Sequence, residues 1–222
     1  MADDLHVTER SRLRRYHERG AFDRETVYDV LDAQPLCSVG YTIDGDPFVT
    51  PTLQWRIGDR VYWHGSSASR ALRRSNAMQV CLSVAILDGF VLARSGMHHS
   101  VNSRSVTLFG TARQVTDPDA KQEVLHGFLN GLFPGRYDTL RPDTAQELKA
   151  TMVLSMTIEE GSAKLRSGGP VDDDDDYDLP IWAGVIPIAT QVGAPVPDPR
   201  NLDGVPVPEH VKSFAYGRAL AD

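Results

Sequence analysis

The apolar positions of the chain fall into short β-rich runs that are separated by tight-turn residues. The first two runs are residues 36–43 (LCSVGYTI) and 48–57 (FVTPTLQWRI), joined by 44–47 (DGDP). Because Asp-Gly tolerates the positive φ of a hairpin turn, the two runs are predicted to pair as antiparallel strands. Pro51 lies inside the second run and cannot donate to a strand ladder, which indicates an edge, a bulge or a backbone that faces a ligand.

Runs of the same kind continue along most of the chain. Further strands are predicted at 61–63, 78–86, 90–94, 103–115, 152–158 and 181–188, with tight turns at 58–59 and 87–89. Helices are predicted from Asp23 to Leu31, from Asp117 to about Phe133 and around 145–149, and the second helix has a predicted buried stripe of Val124, Leu125, Phe128 and Leu132. Six to eight strands linked mostly by tight turns favour a mainly β, antiparallel barrel with flanking helices over a doubly wound sheet.

The two ends of the chain depart from this pattern. Residues 8–20 are basic with little apolar face, and are predicted to form an arm or loose helix over a partner surface or a ligand mouth. Beyond Ala189 the composition turns to Pro, Val, Asp and Gly, which predicts an extended tail that wraps a surface. We therefore divide the chain into an N-terminal arm (1–22), a barrel domain (23–188) and a C-terminal tail (189–222).

Composition and charge narrow the class of protein. The 222 residues are 41% hydrophobic and 24% charged, which is ordinary for a globular protein, and the formal net charge is −7. A negative chain is a poor general binder of nucleic acid, because such binding needs basic surface to displace counterions. The first residues (MADDLH) lack the pattern of a signal peptide and no apolar run reaches membrane-spanning length, so we expect a cytoplasmic protein without a membrane partner.

Candidate metal-binding residues do not form a convincing site in the sequence. Cys37 and Cys81 lie inside apolar runs without ligand spacing, so two small buried thiols are expected rather than a disulfide or a zinc site. His98 and His99 are adjacent and would point to opposite faces of a strand, and no third ligand is evident. The acidic run 172–176 lacks the glycine and distal glutamate of a calcium loop, which favours a solvated, mutually repelling segment. No metal site is predicted.

The strongest candidate for ligand chemistry is the segment that follows the strand at 61–63. Ser66, Ser67 and Ser69 are followed by Arg70, and further arginines come at helical spacing in 70–76 (RALRRSN). Hydroxyl groups, backbone N–H groups at a helix start and guanidinium groups together favour a dianionic phosphate. The alternative is that the serines only cap a helix whose arginines face solvent. The segment thus indicates a phosphate-bearing ligand, subject to support from elsewhere in the chain.

Several motifs, taken as an ordered set, resemble one known superfamily. They are FVTP (48–51), VYWHGS (61–66), HHSVNSRSVTLFGTA (98–112), FPGR (133–136), SAKLR (162–166) and WAGVIP (182–187). This order is similar to the FMN-binding split-barrel superfamily, in the branch related to pyridoxamine phosphate oxidase that includes the nitroimidazole reductases. The resemblance covers about residues 8–188. It implies a six-stranded antiparallel split β-barrel that forms a homodimer with two flavins at the subunit interface.

The resemblance also implies roles for individual residues. The FMN phosphate would be held by Ser66, Ser67, Ser69 and Arg70, beside His64 and Gly65. The isoalloxazine ring would lie along the backbone of Thr50, Pro51 and Thr52. The long strand at the interface is matched by Arg104 and Ser105, and the flavin would be approached from the partner subunit by Lys164 and Trp182. The family often has glycine and lysine at the positions of Ser69 and Arg70, but arginine also binds phosphate. Trp182 has a second interpretation, as a core residue.

Three functions are compatible with this resemblance. The first is an FMN-dependent oxidoreductase, a flavin reductase or nitroreductase, that passes electrons to a small organic acceptor, with NAD(P)H as a possible donor. His64 would then lie near flavin and substrate, where it could orient the substrate, donate a proton or only pack. The second is a non-catalytic flavin- or haem-binding protein, with His64, His98 or His99 as the axial ligand. Pyridoxamine phosphate oxidation itself fits less well, because the two-arginine, two-lysine phosphate signature of that enzyme is not evident.

Overall fold

Nine strands and four α-helices make up the part of the chain that the structure, a computed structural model, describes: residues 4–69, 74 and 77–216. The strands are β1 (Gly20–Ala21), β2 (Leu36–Ile43), β3 (Asp46–Ile57), β4 (Arg60–Ser66), β5 (Met78–Leu92), β6 (Ser100–Gln114), β7 (Thr151–Thr157), β8 (Glu160–Arg166) and β9 (Gly184–Pro187). The helices are α1 (Arg24–Ala33), α2 (Pro118–Leu132), α3 (Ala145–Ala150) and α4 (Glu209–Lys212).

All strands belong to one antiparallel sheet that closes on itself. The strand order is β1-β8-β6-β7-β4-β3-β2-β5-β9, and β5 also pairs with β6. That extra pairing closes the six strands from β2 through β7 into a ring. Strands β1 and β8 extend the sheet beside β6, and β9 lies along β5. The predicted six-stranded antiparallel split barrel is confirmed.

Two of the predicted turns are confirmed and one is wrong. Asp44 and Gly45 have φ values of 54° and 93° in the β2–β3 turn, and Gly58 has φ 59° in the β3–β4 turn. The predicted hairpin at 87–89 is absent, because β5 runs through it as one strand with a bulge between Leu87 and Gly89. A Cβ at Gly89 would lie 2.8 Å from the carbonyl oxygen of Ile186 on β9, so this glycine allows a close approach of two strands rather than a chain reversal.

The helix starts follow the predicted capping residues. The Asp23 carboxylate accepts a hydrogen bond from the N–H of Thr26 at 2.8 Å, and Asp117 accepts one from Ala120 at 2.8 Å, followed by Pro118 in the first turn. Each bond satisfies one of the backbone N–H groups that a helix leaves unpaired at its N-terminus. The two predicted helix starts are thereby confirmed.

The barrel interior holds the main hydrophobic core. It is built from alternate residues of the ring strands and from one face of α1, including Val27, Leu31, Val61, Trp63, Leu82, Val84, Val106, Leu108, Leu154 and Met156. A second cluster lies outside the ring, where Trp55, Tyr62 and Val153 pack against Val124, Leu125 and Phe128 of α2. The predicted stripe of α2 does contact the sheet, but no residue of this helix is fully buried.

Both cysteines are free thiols. Cys37 is in the core, and burial raises the pKa of its thiol to about 12. Cys81 is half-buried on β5, and burial also raises its pKa, against the opposing charge of Arg10. A thiol with a raised pKa is a weak nucleophile, so these side chains act as small apolar groups.

The acidic run at 172–176 is not uniformly solvated, which corrects the sequence interpretation. The side chain of Asp172 is fully buried and accepts hydrogen bonds from the backbone N–H of Arg94 (2.8 Å) and from its guanidinium group (3.0 Å). Burial would raise the pKa of Asp172, but these hydrogen bonds outweigh it and hold the pKa below its usual range. The run therefore anchors a loop to the end of β5.

Both ends of the chain return to the barrel. In the arm, Leu5 is buried and its N–H donates to the carbonyl of Phe22, while the N–H of His6 donates to Glu159 at 2.7 Å. In the tail, most residues from 189 to 208 are exposed, after which the ring of Phe214 stacks on Phe133 at 5.0 Å. Among the described residues, no helix combines the length and the apolar character needed to span a bilayer.

We predict that Leu108→Ala lowers the free energy of unfolding by about 2–5 kcal/mol, because Leu108 is 0% exposed and truncation leaves a cavity in the barrel core. The matched control is Leu202→Ala, at a tail residue that is 80% exposed, which should change it by less than about 0.5 kcal/mol. Urea unfolding measures both. Equal losses in the two variants would contradict the assigned core.

We predict that Asp172→Asn is less stable than the wild type at neutral pH and that the difference shrinks in acid. A carboxyl whose pKa is lowered by folding contributes stability above its unfolded-state pKa and loses it as the pH falls through the folded-state value. The difference in urea midpoint should therefore be constant from pH 7 to about pH 5 and diminish below about pH 4. Asp203→Asn, at an exposed tail residue, is the control. A difference that grows in acid would contradict the assigned ion pair.

Candidate functional site

The first group of candidate residues lies where β3 and β4 separate. Strand β3 pairs with β2 from Asp46 to Leu53 and with β4 only from Gln54 to Ile57, so residues 46–53 have an open edge among the described strands. Thr50, Pro51 and Thr52 lie on this edge, as expected for a proline that cannot donate to a ladder. The backbone there is accessible to a ligand.

The turn after β4 is held by hydrogen bonds that its backbone N–H groups donate. The N–H of Ser67 donates to the carbonyl of Ala150 (2.8 Å), that of Ala68 to the hydroxyl of Ser66 (3.2 Å) and that of Ser69 to the carbonyl of Ser66 (2.9 Å). These three N–H groups are therefore committed within the turn and with α3. An anion at this end of β4 would rely on side chains or on the segment that follows, where Arg70 lies outside the described residues.

His64 joins the first group to helix α2. The hydroxyl of Thr52 donates to the carbonyl of His64 at 3.5 Å, and the imidazole ring lies 5.6 Å from the ring of Trp55 and 5.5 Å from that of Phe128. Its Nδ1 atom is buried without a hydrogen-bond partner among the described residues, and the same is true of the indole Nε1 of Trp55. Such orphaned buried groups call for a ligand or water, so this position fits a bound cofactor.

The electrostatics of His64 favour a neutral ring. Burial lowers the pKa of His64, so the imidazole is uncharged near pH 7. A neutral ring is a poor proton donor but has a nitrogen lone pair for a hydrogen bond or a metal. The structure thus favours orientation or ligation by His64 over proton donation.

The second group lies across the sheet, on β6 and β8. Ser105 is opposite Lys164 in the strand register, and its hydroxyl donates to the Lys164 carbonyl at 3.4 Å. Arg104 is bound through Nε (2.9 Å) and Nη2 (2.8 Å) to the carboxylate of Asp88, which raises the pKa of Arg104. In the ring, β2 and β5 lie between β3 and β6, and β7 lies between β4 and β6, so no pairing of the described strands places the two groups side by side.

Trp182 belongs to neither group in this chain. It precedes β9, is 67% exposed and has the edge of its indole beside Gly184, where a Cβ would meet it at 2.9 Å. The interpretation of Trp182 as a core residue is wrong. Its role as a contact from a partner subunit stays a prediction.

Two histidines that the sequence analysis did not single out have the same orphaned character as His64. The Nε2 atoms of His126 on α2 and His210 on α4 are buried without a hydrogen-bond partner in the described part of the chain. Near these two histidines in the sequence, the end of α2 and the tail line an open cavity of about 560 Å³. It is lined mainly by apolar groups, Phe133, Val192, Ala194, Pro195, Val211 and Phe214, with Lys212 as the charged member. The apolar residues around His210 were the available signal, but the tail composition indicated only a surface wrap.

His98 and His99 differ in their hydrogen bonding. Nδ1 of His99 lies 2.9 Å from the Ser95 carbonyl, whereas Nδ1 of His98 lies 3.7 Å from the Asp172 carboxylate and is buried without a hydrogen-bond partner among the described residues. The fold does bring a third potential ligand, Asp176, to within 4.8 Å of the other two ligand atoms, which the sequence did not reveal. Asp172 of this cluster is already paired with the guanidinium of Arg94.

Comparisons with known proteins bear on the family and the fold. Residues 23–165 match the family model described as pyridoxamine 5'-phosphate oxidase. The chain is 50% identical to the flavocytochrome Anf3 from Azotobacter vinelandii, over 94% of this chain and 97% of that chain, with a TM-score of 0.91. It is 38% identical to an FAD and heme binding protein from Mycobacterium smegmatis, over 89% of this chain and 98% of that chain, with a TM-score of 0.85. No curated protein matches the chain.

A more distant structure shares only the fold. It is described as a 5-nitroimidazole antibiotic resistance protein from Bacteroides thetaiotaomicron, is 19% identical, covers 65% of this chain and 85% of that chain, and has a TM-score of 0.53. The family model spans more than half of the chain and agrees with the ordered motifs and the six-strand ring. This chain therefore belongs to the pyridoxamine 5'-phosphate oxidase family, in the split-barrel branch that its motifs indicate.

Proposed function

We propose that this protein is a flavocytochrome that binds one flavin and one haem per chain and passes electrons between them. The observation that carries the proposal is the extent of its similarity to two proteins that are named for both groups. The family model ends at residue 165, whereas these two similarities cover 94% and 89% of the chain and so extend into the segment that follows the family model. A bound flavin exchanges electrons in pairs or singly, which suits a one-electron haem partner.

The flavin site of the proposal is the open edge of β3 with the turn after β4. Thr50, Pro51 and Thr52 offer backbone beside an unpaired strand edge, and Ser66 to Ser69 offer hydroxyl groups at the end of β4. The sequence resemblance implied FMN. We propose FAD instead, since the Mycobacterium smegmatis protein is named for FAD and is 38% identical over most of this chain.

The haem site of the proposal is the cavity between α2 and the tail. A haem needs an apolar pocket, a neutral imidazole nitrogen for its iron and a cation for its propionates. The cavity of about 560 Å³ has mainly apolar walls and includes Lys212, and His210 directly precedes the wall residue Val211 in the sequence. The orphaned Nε2 of His210 makes it the proposed ligand, and His126, two helical turns before Phe133 on the same helix, is the alternative.

The oxidoreductase expected from the sequence is a part of this proposal. The uncharged His64 beside Thr52 would orient the flavin or a small acceptor rather than supply a proton. Electrons would enter from a donor such as NAD(P)H. Turnover of such a donor, with reduction of the haem after the flavin, is the activity that the proposal requires.

We also propose that the protein is a homodimer. An exposed apolar row crosses three strands, because Phe90 on β5 is opposite both Val101 on β6 and Ile186 on β9, and the three side chains are 46%, 40% and 47% exposed. Contiguous exposed apolar surface on a sheet marks an interaction site. A second copy on this face would also supply the Lys164 and Trp182 contacts that one subunit does not bring to the β3–β4 edge.

We predict that the purified protein shows both a flavin spectrum and a Soret band, and that the flavin released on denaturation has the mass of FAD. His210→Ala should lose the haem and keep the flavin, because only the iron ligand is removed. His17→Ala, at a side chain that is 85% exposed, should keep both groups. Absorbance and mass spectrometry of the purified variants give the result.

Two outcomes would overturn parts of this proposal separately. A wild-type protein without a Soret band, even after addition of haemin, would exclude the haem function. Loss of haem in His126→Ala or His64→Ala, with retention in His210→Ala, would place the iron ligand elsewhere.

We predict that Phe90→Lys converts the dimer to a monomer, because a charged ammonium group at an apolar interface is not compensated. Leu202→Lys, at another exposed apolar residue but in the tail, should leave the dimer intact. Light scattering after size-exclusion chromatography measures the mass of each variant. A wild-type protein with the mass of one chain would contradict the proposed dimer.

A further inference from the structure

A polar cleft opens at the Arg60 end of β4, opposite to the end that carries Ser66. Its volume is about 390 Å³ and its wall includes Arg10, Arg60, Gln79, Phe109, Thr111 and Arg113. Arg60 begins β4 and Ser66 ends it, so at 3.3 Å per residue this cleft lies roughly 20 Å from the proposed flavin phosphate site. The cleft is therefore separate from the site that the proposed function uses.

Two arginines of the cleft have no acidic partner. The guanidinium of Arg60 donates to the hydroxyls of Thr157 (2.9 Å) and Ser155 (2.8 Å). Arg113 is exposed and is opposite Ser155 in the register of β6 and β7. The side chains of Arg60 and Arg113 therefore both lie next to Ser155. Neither forms an ion pair with a carboxylate of the described residues. The Arg60 guanidinium is held by these two hydroxyls, Arg113 extends from the neighbouring strand, and both charges remain available to a ligand.

The carboxylates of the wall do not cancel this charge. Glu160 is bound by the Nε (2.7 Å) and Nη2 (2.6 Å) atoms of Arg10, whose guanidinium lies 4.9 Å from the centre of the Phe109 ring. Glu159 is the other acid in the wall, which leaves three arginines against two glutamates. A net positive cleft stands out in a chain whose formal charge is −7.

Neutral donors complete the arrangement. The amide of Gln79 donates to the hydroxyl oxygen of Thr111 at 2.6 Å, so the hydroxyl proton of Thr111 is free to donate in turn. Thr157 likewise accepts from Arg60 and keeps its own proton. Two guanidinium groups flanked by two hydroxyl donors match the acceptor-rich oxygens of a phosphate, which arginine binds through paired hydrogen bonds.

We propose that this cleft is a second anion site, which binds a small phosphate-bearing ligand of the size of a diphosphate through Arg60 and Arg113. The N-terminal arm forms one wall of the site, because Arg10 is held there by Glu160. The cleft, at about 390 Å³, is many times larger than the volume of about 30 Å³ that one water molecule takes in the liquid, so it has room for more than a diphosphate. A free pyrophosphate and the diphosphate of a nucleotide share this chemistry.

The test is calorimetric titration of the full-length protein, with the cofactors it carries on purification, by pyrophosphate, ADP and adenosine. We expect pyrophosphate and ADP to bind, with affinity that falls as salt is raised, and adenosine not to bind. Pyrophosphate alone would identify a free anion as the ligand, and tighter binding of ADP would identify a nucleotide. Arg113→Gln, at an exposed side chain, should weaken binding by about tenfold or more.

The controls separate this site from the proposed flavin site. Arg200→Gln removes an exposed arginine that is paired with Asp198 and should bind like the wild type. Absence of binding at millimolar pyrophosphate, or equal affinities of Arg113→Gln and the wild type, would overturn the inference. Displacement of flavin during the titration, seen by absorbance, would also overturn it, because the anion would then occupy the cofactor site. None of these results bears on whether the chain binds flavin or haem.

Discussion

The pairing of β5 with β6 is the interaction on which the rest of the structure depends. These are the longest strands, 15 residues each, and their register runs from Met78 opposite Ala112 to Val91 opposite Ser100. Each also pairs with two other strands, so this single ladder turns an open sheet into a ring. Closure gives every ring strand an inner and an outer face, and the inner face is where Leu82 and Leu108 are excluded from water. The loss of this ladder would expose the main core and both groups of candidate residues together.

Closure also separates the sites that the molecule can carry. A strand in a closed ring has two ends that cannot approach each other, and β4 carries different chemistry at each, with His64 and Ser66 at one end and Arg60 at the other. The two outer groups, on the β3–β4 edge and on β6–β8, are likewise kept apart by the strands between them. Under the proposed function, a flavin that contacts both groups would be bound between two copies of the chain, which is consistent with the proposed homodimer.

The sequence predicted what local chemistry determines. The Asp-Gly turn, the Asp23 and Asp117 caps and the open edge at Pro51 each follow from a single residue type and its backbone requirement. The hairpin predicted at 87–89 failed because Gly89 has a long-range cause, the approach of β9. The prediction that Asp172 is solvated failed for the same reason, since its partner Arg94 is 78 residues away along the chain. His210 was missed because the cavity beside Val211, which joins Phe133 to the residues near Val192, forms only in the folded chain.

The tail shows how an extension can add a pocket to the family fold. Helix α2 packs one stripe against Trp55 and Tyr62 but has no fully buried residue, so its outer side needs a cover. The tail provides one where Phe214 stacks on Phe133, and the apolar cavity lies at that contact. The family model stops at residue 165, before this segment begins. The barrel therefore specifies the fold common to the family, and the segment that follows the family model adds a pocket by packing on a helix that the barrel leaves half-exposed.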